Sequence, residues 1–326
     1  MKKALITGIY GQDGSYLGEL LSNEGTEVHG IIRENLSDNS KRIKNILNRQ
    51  NIKPIEHITD LNDYSALKDL LLEIRPDEIY HMAAYHVSSE GVNQNKEYFD
   101  KVLFDYNVKS TSNILSICFE YLKNTHIVTA GSCLMFDNSK TKRQNEETEY
   151  NSKSLYGLAK ITENSLVKYY RSKRQHSSCA ILYNHESSRR SINFVTRKII
   201  NSLIKVKNKE IKNFTLGNLE IKKDWGWAKD YANAMILMAR AKEAKDYVLS
   251  SGELHTIKEF IEICVLKLGL DNYEQYININ SSIIDRKIEG QLFGDCSKIE
   301  KELNWKKSLD FEGLIDLMIK EEENEQ

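Results

Sequence analysis

The sequence predicts an α/β protein built on a doubly wound parallel sheet. Three observations support this prediction. Short runs rich in β-branched residues alternate with longer amphipathic stretches through the first half of the chain, which is the pattern of strand–helix–strand units. The first run is followed by three glycines and then by a helix pattern. The 326-residue length also leaves room for a second, smaller lobe.

Strand and helix patterns alternate through residues 1–183. Runs of β-branched and other apolar residues predict strands at residues 3–7, 27–32, 55–58, 78–82, 126–129 and 178–183. Apolar residues spaced three and four apart predict helices at residues 12–23, 66–73, 108–121 and 155–171. Such alternation is typical of a Rossmann-type domain, in which a ligand binds beyond the carboxyl ends of the parallel strands.

The pattern loosens after residue 183. Isolated helices are predicted at residues 194–205, 229–241, 257–268, 298–303 and 311–319, with short strands between them. We interpret residues 184–326 as mainly a smaller α/β lobe that contacts the substrate, with later segments returning to the first domain. The acidic end of the chain, EEENEQ, is predicted to be a solvated or frayed tail.

Composition excludes several classes of protein. With 40% hydrophobic residues, 29% charged residues and a formal net charge of −1, the chain has the balance of a water-soluble globular protein. It has no overall field that would attract nucleic acid or a membrane surface. The five cysteines lack any C-x-x-C spacing, which argues against a disulfide framework or a zinc site and suits a reducing cytosol. We therefore expect a cytoplasmic protein without metal, nucleic-acid or membrane partners.

A glycine-rich loop separates the first strand from the first helix. Its sequence, TGIYGQDG, has a G-x-x-G-x-x-G spacing that differs from the G-x-G-x-x-G of the standard dinucleotide fingerprint. Glycines there allow a tight turn and bring backbone N–H groups at a helix N-terminus against a pyrophosphate. The loop residues expected to hold a dinucleotide are Thr7, Gly8, Gly11, Gln12, Asp13 and Gly14.

Further dinucleotide contacts are expected at the ends of the next strands. Asp60 and Leu61 follow the third strand, where an acidic side chain can meet the adenine edge. Ala83 and Ala84 follow the fourth strand, where small side chains leave room for the ribose and pyrophosphate. These positions support the cofactor prediction together, because Asp and Ala are each common at strand ends.

The end of the second strand bears on the choice between NAD and NADP. Arg33 could pair with the 2′-phosphate of NADP, whereas Glu34 beside it would repel that dianion. The two charges conflict, and we favour NAD over NADP as the cofactor.

The segment YGLAK, residues 156–160, carries the strongest catalytic signal. A spacing of four on a helix places Tyr156 and Lys160 on one face, one turn apart. A neighbouring ammonium favours the phenolate, so Tyr156 can take a hydroxyl proton while a hydride leaves the same carbon. Ser132, at the end of the fifth strand, can hydrogen-bond the reacting oxygen. We predict these three residues as the catalytic group, with Tyr156 and Lys160 also contacting the cofactor.

With these motifs the chain resembles an extended short-chain dehydrogenase/reductase, and specifically the GDP-mannose 4,6-dehydratase family. The resemblance runs nearly end to end. In the first half it is carried by TGIYGQDGSYL, EVHGIIR and SLYGLAK. In the second half it is carried by LYNHESSRRSINFVTRKI, TLGNLEIKKDWGWAKDYANAM, GELHTIKEFIE and FGDCSKIEKELNW. The second-half segments are the more specific ones, and the family carries its GDP-sugar contacts there.

The resemblance implies a GDP-sugar substrate and a set of residues that contact it. All of them belong to the second lobe, and the cations among them suit a diphosphate. They are Asn184 and Glu186 beside the sugar and diphosphate, Val195 and Lys198 facing the nucleotide, Leu216 and Gly217 at guanine, Lys223 where the family usually has arginine, and Arg286 and Glu289 at ribose and phosphate.

One position departs from the family pattern. The family has Ser-Thr-Ser-Glu-Leu-Tyr-Gly after strand five, whereas this chain has Gly-Ser-Cys-Leu-Met-Phe-Asp at residues 131–137. Leu134 thus takes the place of the glutamate that, in the family, removes the C5 proton and helps water to leave from C6. Leucine cannot exchange a proton. Cys133 is expected to point to the other side of an extended strand.

The resemblance and its departure together predict oxidation at C4 of GDP-mannose or GDP-D-glycero-D-manno-heptose without dehydration. The reduced cofactor would exchange with free NAD or pass its hydride to a 2-oxo acid. Three alternatives stay open: a 4,6-dehydratase with a relocated acid–base group, a 4-epimerase or 4-keto reductase, and a non-catalytic GDP-sugar-binding protein. The resemblance also implies a homodimer or homotetramer with contacts along residues 34–41, and a place in capsule or surface-polysaccharide synthesis.

Overall fold

The computed structural model describes residues 1–85, 96–137, 139–280 and 291–325. The strands in these ranges are β1 (Lys3–Thr7), β2 (Glu27–Ile32), β3 (Ile55–Ile58), β4 (Glu78–His81), β5 (His126–Ala130), β6 (Ser177–Leu182), β7 (Asn184–Glu186), β8 (Phe214–Leu216), β9 (Lys222–Lys223), β10 (Trp225–Trp227), β11 (Tyr247–Leu249), β12 (His255–Thr256) and β13 (Ile277–Ile279). The helices are α1 (Gln12–Asn23), α2 (Asp38–Arg49), α3 (Tyr64–Ile74), α4 (Lys96–Tyr121), α5 (Leu155–Ser172), α6 (Val195–Lys207), α7 (Ala228–Arg240), α8 (Ile257–Leu268), α9 (Ser297–Leu303) and α10 (Phe311–Glu325). No helix in these ranges combines the length and the apolarity needed to cross a membrane.

Seven parallel strands form the central sheet, in the order β11–β6–β5–β4–β1–β2–β3. β1 pairs with β2 on one side, with Thr7 opposite Ile31, and with β4 on the other, with Thr7 opposite His81. The chain therefore builds outward from β1 to β3 and then crosses back to β4. That reversal makes the crevice beyond the carboxyl ends of β1 and β4 the place where such sheets bind ligands. The predicted doubly wound α/β fold is confirmed.

Helices cover both faces of the sheet, because its strands are apolar on both sides. On one face α1 packs against α7, and their apolar residues join Ala4 and Ile6 in a core that reaches Trp305. On the other face α4 packs against α5, and their core includes Leu5 and Ile79. The two layers hold the strand ends, and hence the loops that follow them, in constant positions.

The chain after β6 builds a second lobe and also returns to the sheet. β11 adds the seventh strand by pairing with β6. Three two-stranded pairs, β7–β10, β8–β13 and β9–β12, stand beside helices α6, α8 and α10. Their apolar side chains form a separate core that contains Trp225, Phe260 and Phe311. The segments after residue 183 thus serve both the sheet and the second lobe.

Two helices differ from the prediction. No helix is predicted across α2, because the segment is polar apart from Ile43, Ile46 and Leu47, and of these Ile43 and Leu47 are buried. Ser37 nonetheless caps it, accepting a hydrogen bond from the backbone N–H of Ser40 at 3.2 Å. The helix predicted from residue 108 begins at Lys96 instead. Buried polar residues such as Asn107 interrupt the apolar pattern of its early turns.

The acidic C-terminus is not the solvated or frayed tail that its composition predicts. α10 continues to Glu325, and Glu322 is 3% exposed. The guanidinium of Arg197 donates to both carboxylate oxygens of Glu322, at 2.8 and 3.1 Å. Arg42 of α2 donates to Glu325 at 2.6 Å. The prediction was wrong because these arginines lie far from the tail in sequence, so local composition gives no sign of them.

Candidate active site

The glycine loop forms a tight turn between β1 and α1. The backbone N–H of Gly11 donates to the Gly8 carbonyl at 2.8 Å, and α1 begins at the next residue. A Cβ on Gly14 would overlap the Gly8 carbonyl oxygen, so no side chain can be accommodated there. The result is a cradle of backbone at a helix N-terminus, which suits a pyrophosphate.

The ends of β1 and β4 are joined by hydrogen bonds at the switch point. The Thr7 hydroxyl accepts from the backbone N–H of Ala83 at 3.0 Å and is 2.8 Å from Nδ1 of His81. Burial, reinforced by the charge of Lys160, lowers the pKa of His81 to about 3. The imidazole is therefore neutral at pH 7 and acts as a structural hydrogen-bonding group. Ala84 follows half-buried.

Gln12 and Asp13 connect the glycine loop to the second lobe. The Gln12 amide donates to the His185 carbonyl at 3.0 Å and its oxygen accepts from the Ser187 hydroxyl at 2.9 Å. Asp13 pairs with His185 Nε2 at 2.9 Å. Burial opposes both charges. The pair outweighs burial, lowering the pKa of Asp13 and raising that of His185. These contacts join the predicted cofactor site to β7, where substrate contacts are predicted.

The adenine side of the predicted cofactor site contains two aromatic residues that the sequence analysis missed. The Arg33 guanidinium lies 6.0 Å from the ring centre of Tyr85 and 5.9 Å from that of Tyr106. Asp60 is exposed, and its carboxylate accepts from the backbone N–H of Asn62 at 2.9 Å. Tyr106 lies in the part of α4 for which no helix is predicted, so no sequence signal connects it to Arg33.

Leu61 is a core residue. Its side chain is 2% exposed, and its carbonyl accepts from the Asn113 side chain at 2.9 Å. Leu61 therefore packs in the core beneath the loop after β3, and its side chain is not available to a ligand.

The predicted catalytic residues come together where β5 and α5 meet. Tyr156 and Lys160 lie one turn apart on α5, with the Lys160 nitrogen 5.8 Å from the centre of the Tyr156 ring. The Ser154 hydroxyl begins this helix by accepting from the Gly157 N–H at 3.1 Å. A Cβ on Gly157 would overlap the Leu134 carbonyl oxygen, so the chain after Ser132 lies directly against the first turn of α5.

The segment after Ser132 is a short 3₁₀ helix, Cys133–Phe136, not the extended strand that was predicted. The Ser132 hydroxyl accepts from the backbone N–H of Leu134 at 3.2 Å. Cys133 is 5% exposed, and burial raises the pKa of its thiol to about 12 although Lys223 acts in the opposite direction. A neutral, enclosed thiol is not an acid–base group at pH 7. The prediction of an extended strand was wrong because it considered the strand pattern and not capping by the Ser132 hydroxyl.

The sequence analysis also missed Glu163. Lys160 is 3% exposed, and its ammonium donates to the Glu163 carboxylate at 3.0 Å. The spacing of three residues on α5 is a signal that could have identified the pair. Its burial could not be inferred from the sequence, because it depends on α4 packing over α5.

Two predicted substrate residues lie on β7. β7 pairs with β10, which places Asn184 opposite Trp225. Glu186 is 4% exposed, and its carboxylate accepts from the Thr196 hydroxyl at 2.6 Å and pairs with Arg190 at 3.2 Å. Neighbouring side chains therefore fix the orientation of the Glu186 carboxylate.

The remaining predicted substrate residues occupy different environments. Val195 and Lys198 lie half-buried in the first turn of α6. Leu216 is 2% exposed in the core of the second lobe, so its side chain is not available to a ligand, and Gly217 follows it. Lys223 lies opposite His255 in the β9–β12 pair. Arg286 and Glu289 lie outside the described residues.

Sequence comparison assigns the chain to a family of enzymes. A family model described as GDP-mannose 4,6 dehydratase matches residues 5–318. GDP-mannose 4,6 dehydratase 2 of Arabidopsis thaliana is 36% identical over 327 residues, which cover 98% of this chain and 87% of the plant protein. GDP-mannose 4,6 dehydratase of Homo sapiens is 34% identical over 345 residues, which cover 97% of this chain and 90% of the human protein.

Solved structures share the fold at lower identity. dTDP-glucose 4,6-dehydratase from Bacillus anthracis, solved in complex with NAD, has a TM-score of 0.83 at 18% identity, covering 99% of this chain and 97% of that one. UDP-glucose 4-epimerase from Thermus thermophilus, also solved with NAD, has a TM-score of 0.78 at 20% identity, covering 98% and 99%. By these matches and its own architecture, the chain belongs to the GDP-mannose 4,6-dehydratase family and has the extended short-chain dehydrogenase/reductase fold.

Proposed function

We propose that the protein oxidises C4 of a GDP-manno-configured sugar, GDP-mannose or GDP-D-glycero-D-manno-heptose, and stops before dehydration. One observation carries the second half of this proposal. Leu134 stands where the family resemblance places the glutamate that serves as acid–base group, and its backbone packs against Gly157 beside Tyr156. A side chain that cannot exchange a proton occupies the place from which elimination would be assisted.

The residues for the oxidation itself support the first half. When a C4 hydroxyl is oxidised, its oxygen loses a proton and its carbon loses a hydride. Tyr156 takes the proton, with the Lys160 ammonium favouring its phenolate, and Ser132 hydrogen-bonds the oxygen. The nicotinamide, when bound, accepts the hydride. None of these roles needs a carboxylate at position 134.

A dinucleotide fits the residues that the structure places at the switch point. The cradle at Gly14 has no room for a side chain, and it opens onto the N-terminus of α1. We favour NAD over NADP for two reasons. Arg33 is engaged with two tyrosine rings, and the exposed Glu34 beside it would repel a 2′-phosphate. The two solved relatives described above were crystallised with NAD.

Two carboxylates close to the predicted catalytic group, Glu163 and Asp137, are engaged with other partners, which supports arrest after oxidation. Glu163 pairs with Lys160 and accepts from Thr111. Asp137 is buried, and it accepts from the backbone N–H of Lys153 at 2.9 Å. Loss of general acid–base help typically lowers a rate by about a hundredfold to ten-thousandfold. Elimination from C5 and C6 should therefore be slow.

Arrest at the 4-keto sugar leaves the cofactor reduced. The proposal therefore includes a second step, either exchange of the reduced cofactor for free NAD or hydride transfer to a 2-oxo acid. We further propose that the protein acts in the cytoplasm as a homodimer or homotetramer, as the resemblance implies.

The test is the mass of the sugar nucleotide after incubation with NAD and a 2-oxo acid. GDP-mannose and GDP-D-glycero-D-manno-heptose are tried separately, and loss of two hydrogens is the expected result. Loss of water would overturn the arrest and restore the dehydratase activity for which the relatives are named. An unchanged mass with an inverted C4 centre by NMR would establish a 4-epimerase. No change of any kind would favour a GDP-sugar-binding protein.

A pair of variants isolates the role of position 134. Leu134→Glu is expected to convert part of the product to the dehydrated sugar, because it restores an exchangeable carboxylate beside Ser132. Leu134→Gln introduces a polar side chain of the same size without an acid, and it should leave the product unchanged. Equal dehydration by both variants would contradict the assigned role of the carboxylate.

A further inference from the structure

Lys160 is enclosed by protein although the proposed chemistry needs it charged. Its side chain is 3% exposed, and its nitrogen lies 5.8 Å from the centre of the Tyr156 ring. Removal from water penalises an ammonium and favours the neutral amine. A neutral amine would no longer favour the Tyr156 phenolate. The site therefore needs a group that keeps the proton on Lys160.

Glu163 supplies a negative charge at the required place. Its carboxylate oxygen Oε2 lies 3.0 Å from the Lys160 nitrogen, and its side chain is 4% exposed. Burial raises the pKa of Glu163, whereas the Lys160 ammonium and the Thr111 hydroxyl of α4, which donates to the same oxygen at 3.0 Å, favour the ionised carboxylate. The other oxygen, Oε1, has no hydrogen-bond partner within the described ranges. The ammonium and the Thr111 hydroxyl are thus the donors that hold this carboxylate.

Among the other titratable groups that act on Lys160, Tyr156 adds to the effect of Glu163 when it is ionised, and the two others provide no counter-charge. These groups are Tyr156 on α5, Cys179 on β6 and His81 on β4. Burial raises the pKa of the Cys179 thiol to about 12, so it is neutral at pH 7, as is His81. Burial pushes the pKa of Lys160 downward, but the Glu163 carboxylate outweighs it and the pKa is raised.

We propose that Glu163 is a positioning residue that holds Lys160 beside Tyr156 as an ammonium ion. It acts through Lys160 and needs no contact with substrate. The inference rests on the proposed function for the chemical purpose of Tyr156 and Lys160. The charge state of Lys160 can be measured without any substrate, so the two proposals can fail separately.

The direct test is a pH titration of the Lys160 side chain by NMR. The protein is labelled with lysine carrying ¹³C at the ε-carbon, and the Lys160 signal is assigned by its loss in Lys160→Arg. In the wild-type protein Lys160 should titrate above the usual lysine value of about 10.4. In Glu163→Gln, which keeps the size and an acceptor for Thr111, it should titrate lower by on the order of two pH units or more.

Two outcomes of this titration overturn the proposal. The first is a Lys160 that titrates at the same pH in Glu163→Gln and in the wild-type protein. The second is a wild-type Lys160 that already loses its proton below pH 8. The second outcome needs only the wild-type protein and decides the question even if Glu163→Gln does not fold.

The pH dependence of turnover gives a second readout. Glu163→Gln should lose activity as the pH rises through the lowered pKa of Lys160, a descending limb that the wild-type protein lacks in that range. Above that pKa the activity should fall by about tenfold for each pH unit, because the protonated fraction of Lys160 does. Glu163→Asp keeps the charge, so its turnover should show the same pH dependence as the wild-type protein with a lower maximum rate.

Glu322→Gln is the matched control for loss of a buried carboxylate. Glu322 is 3% exposed and pairs with Arg197 of α6, whereas Tyr156 and Lys160 lie on α5. It should lower stability without a new limb in the pH profile. A Glu163→Gln profile that matches the Glu322→Gln profile would reduce Glu163 to a structural residue. If the wild-type protein turns over no GDP-sugar, the proposed function fails and the lysine titration still decides the role of Glu163.

Discussion

The predicted cofactor side and the predicted substrate side of the site are built by different means. On the cofactor side, Gly8 and Gly11 lie in one turn, Gly14 lies in the first turn of the helix that follows, and Tyr156 and Lys160 lie one helical turn apart on α5. On the substrate side, β7 pairs with β10 some forty residues later in the chain, Thr196 holds Glu186, and the acidic end of α10 holds Arg197. The first side depends on local turn and helix geometry, whereas the second depends on partners that are remote in sequence.

This difference decides which residues a sequence pattern can locate. The glycine loop and the Tyr156–Lys160 pair are predicted with correct geometry because backbone rules apply within a few residues. On the substrate side, family resemblance points to positions such as Leu216, whose side chain the tertiary structure buries in a core. Variants on the cofactor side, on the substrate side and at the contact between the two test this difference.

The largest effect is expected at the local catalytic pair. Tyr156→Phe removes the proton acceptor while keeping the ring, and it should lower turnover of the GDP-sugar by about a hundredfold to ten-thousandfold. Tyr169→Phe, at a position that is 56% exposed on the same helix, is the control and should leave turnover unchanged. Steady-state kinetics on both variants makes the comparison. A fully active Tyr156→Phe would remove Tyr156 from the chemistry.

The remote side should be sensitive to loss of a single carboxylate. Glu322→Gln removes the bidentate partner of the buried Arg197 guanidinium and leaves it a longer contact to Glu325 at 3.5 Å, which should lower the free energy of unfolding by about 3 kcal/mol. Glu323→Gln is the neighbouring control. Glu323 pairs with Lys207 at 42–43% exposure, so its loss should cost less than about 1 kcal/mol. Urea denaturation measures the free energy of unfolding of both variants. Equal losses would contradict the expected difference between the buried Glu322 pair and the exposed Glu323 pair.

A smaller effect, on cofactor binding, is expected for a substitution in the glycine cradle. Gly14→Ala forces the new methyl group against the Gly8 carbonyl, so the turn must open. We expect NAD to bind on the order of a hundredfold more weakly, because the backbone N–H groups no longer converge on the pyrophosphate. Calorimetric titration with NAD measures the change. Wild-type affinity in a correctly folded Gly14→Ala would show that the dinucleotide does not use this loop.

The smallest effect is expected at the Asp13–His185 pair, which connects the cofactor side to the substrate side. The pKa of His185 is raised by Asp13, so its contribution to stability is present below the unfolded value of about 6.5 and is lost as the pH rises through the folded value. The pKa of Asp13 is lowered, so its contribution is present above about 3.9 and is lost as the pH falls through the folded value.

The Asp13–His185 pair should therefore stabilise the protein most between about pH 4 and pH 6.5. His185→Gln should lose about 1–2 kcal/mol in that window and less at pH 9. Denaturation at several pH values makes the measurement. A loss that does not change with pH would show that the pair contributes as a neutral hydrogen bond.

Particular elements show how far the sequence reaches. Apart from α2, the order of strands and helices up to residue 183, α5 included, is predicted from apolar periodicity. Pattern reasoning missed α2, because Ile43 and Leu47 become a buried stripe only once the sheet and α1 are in place. It also placed Cys133 on an extended strand, whereas the Ser132 hydroxyl begins a 3₁₀ helix there.

The sequence by itself determined the doubly wound fold, the glycine cradle, the Tyr156–Lys160 spacing and the absence of a carboxylate at Leu134. Each depends on residue identity or on geometry within one turn. The tertiary structure alone decided that Glu163 and Lys160 are buried as a pair and that the acidic tail binds Arg197 and Arg42. Burial is a property of what packs over a side chain, and those covering segments come from other parts of the chain.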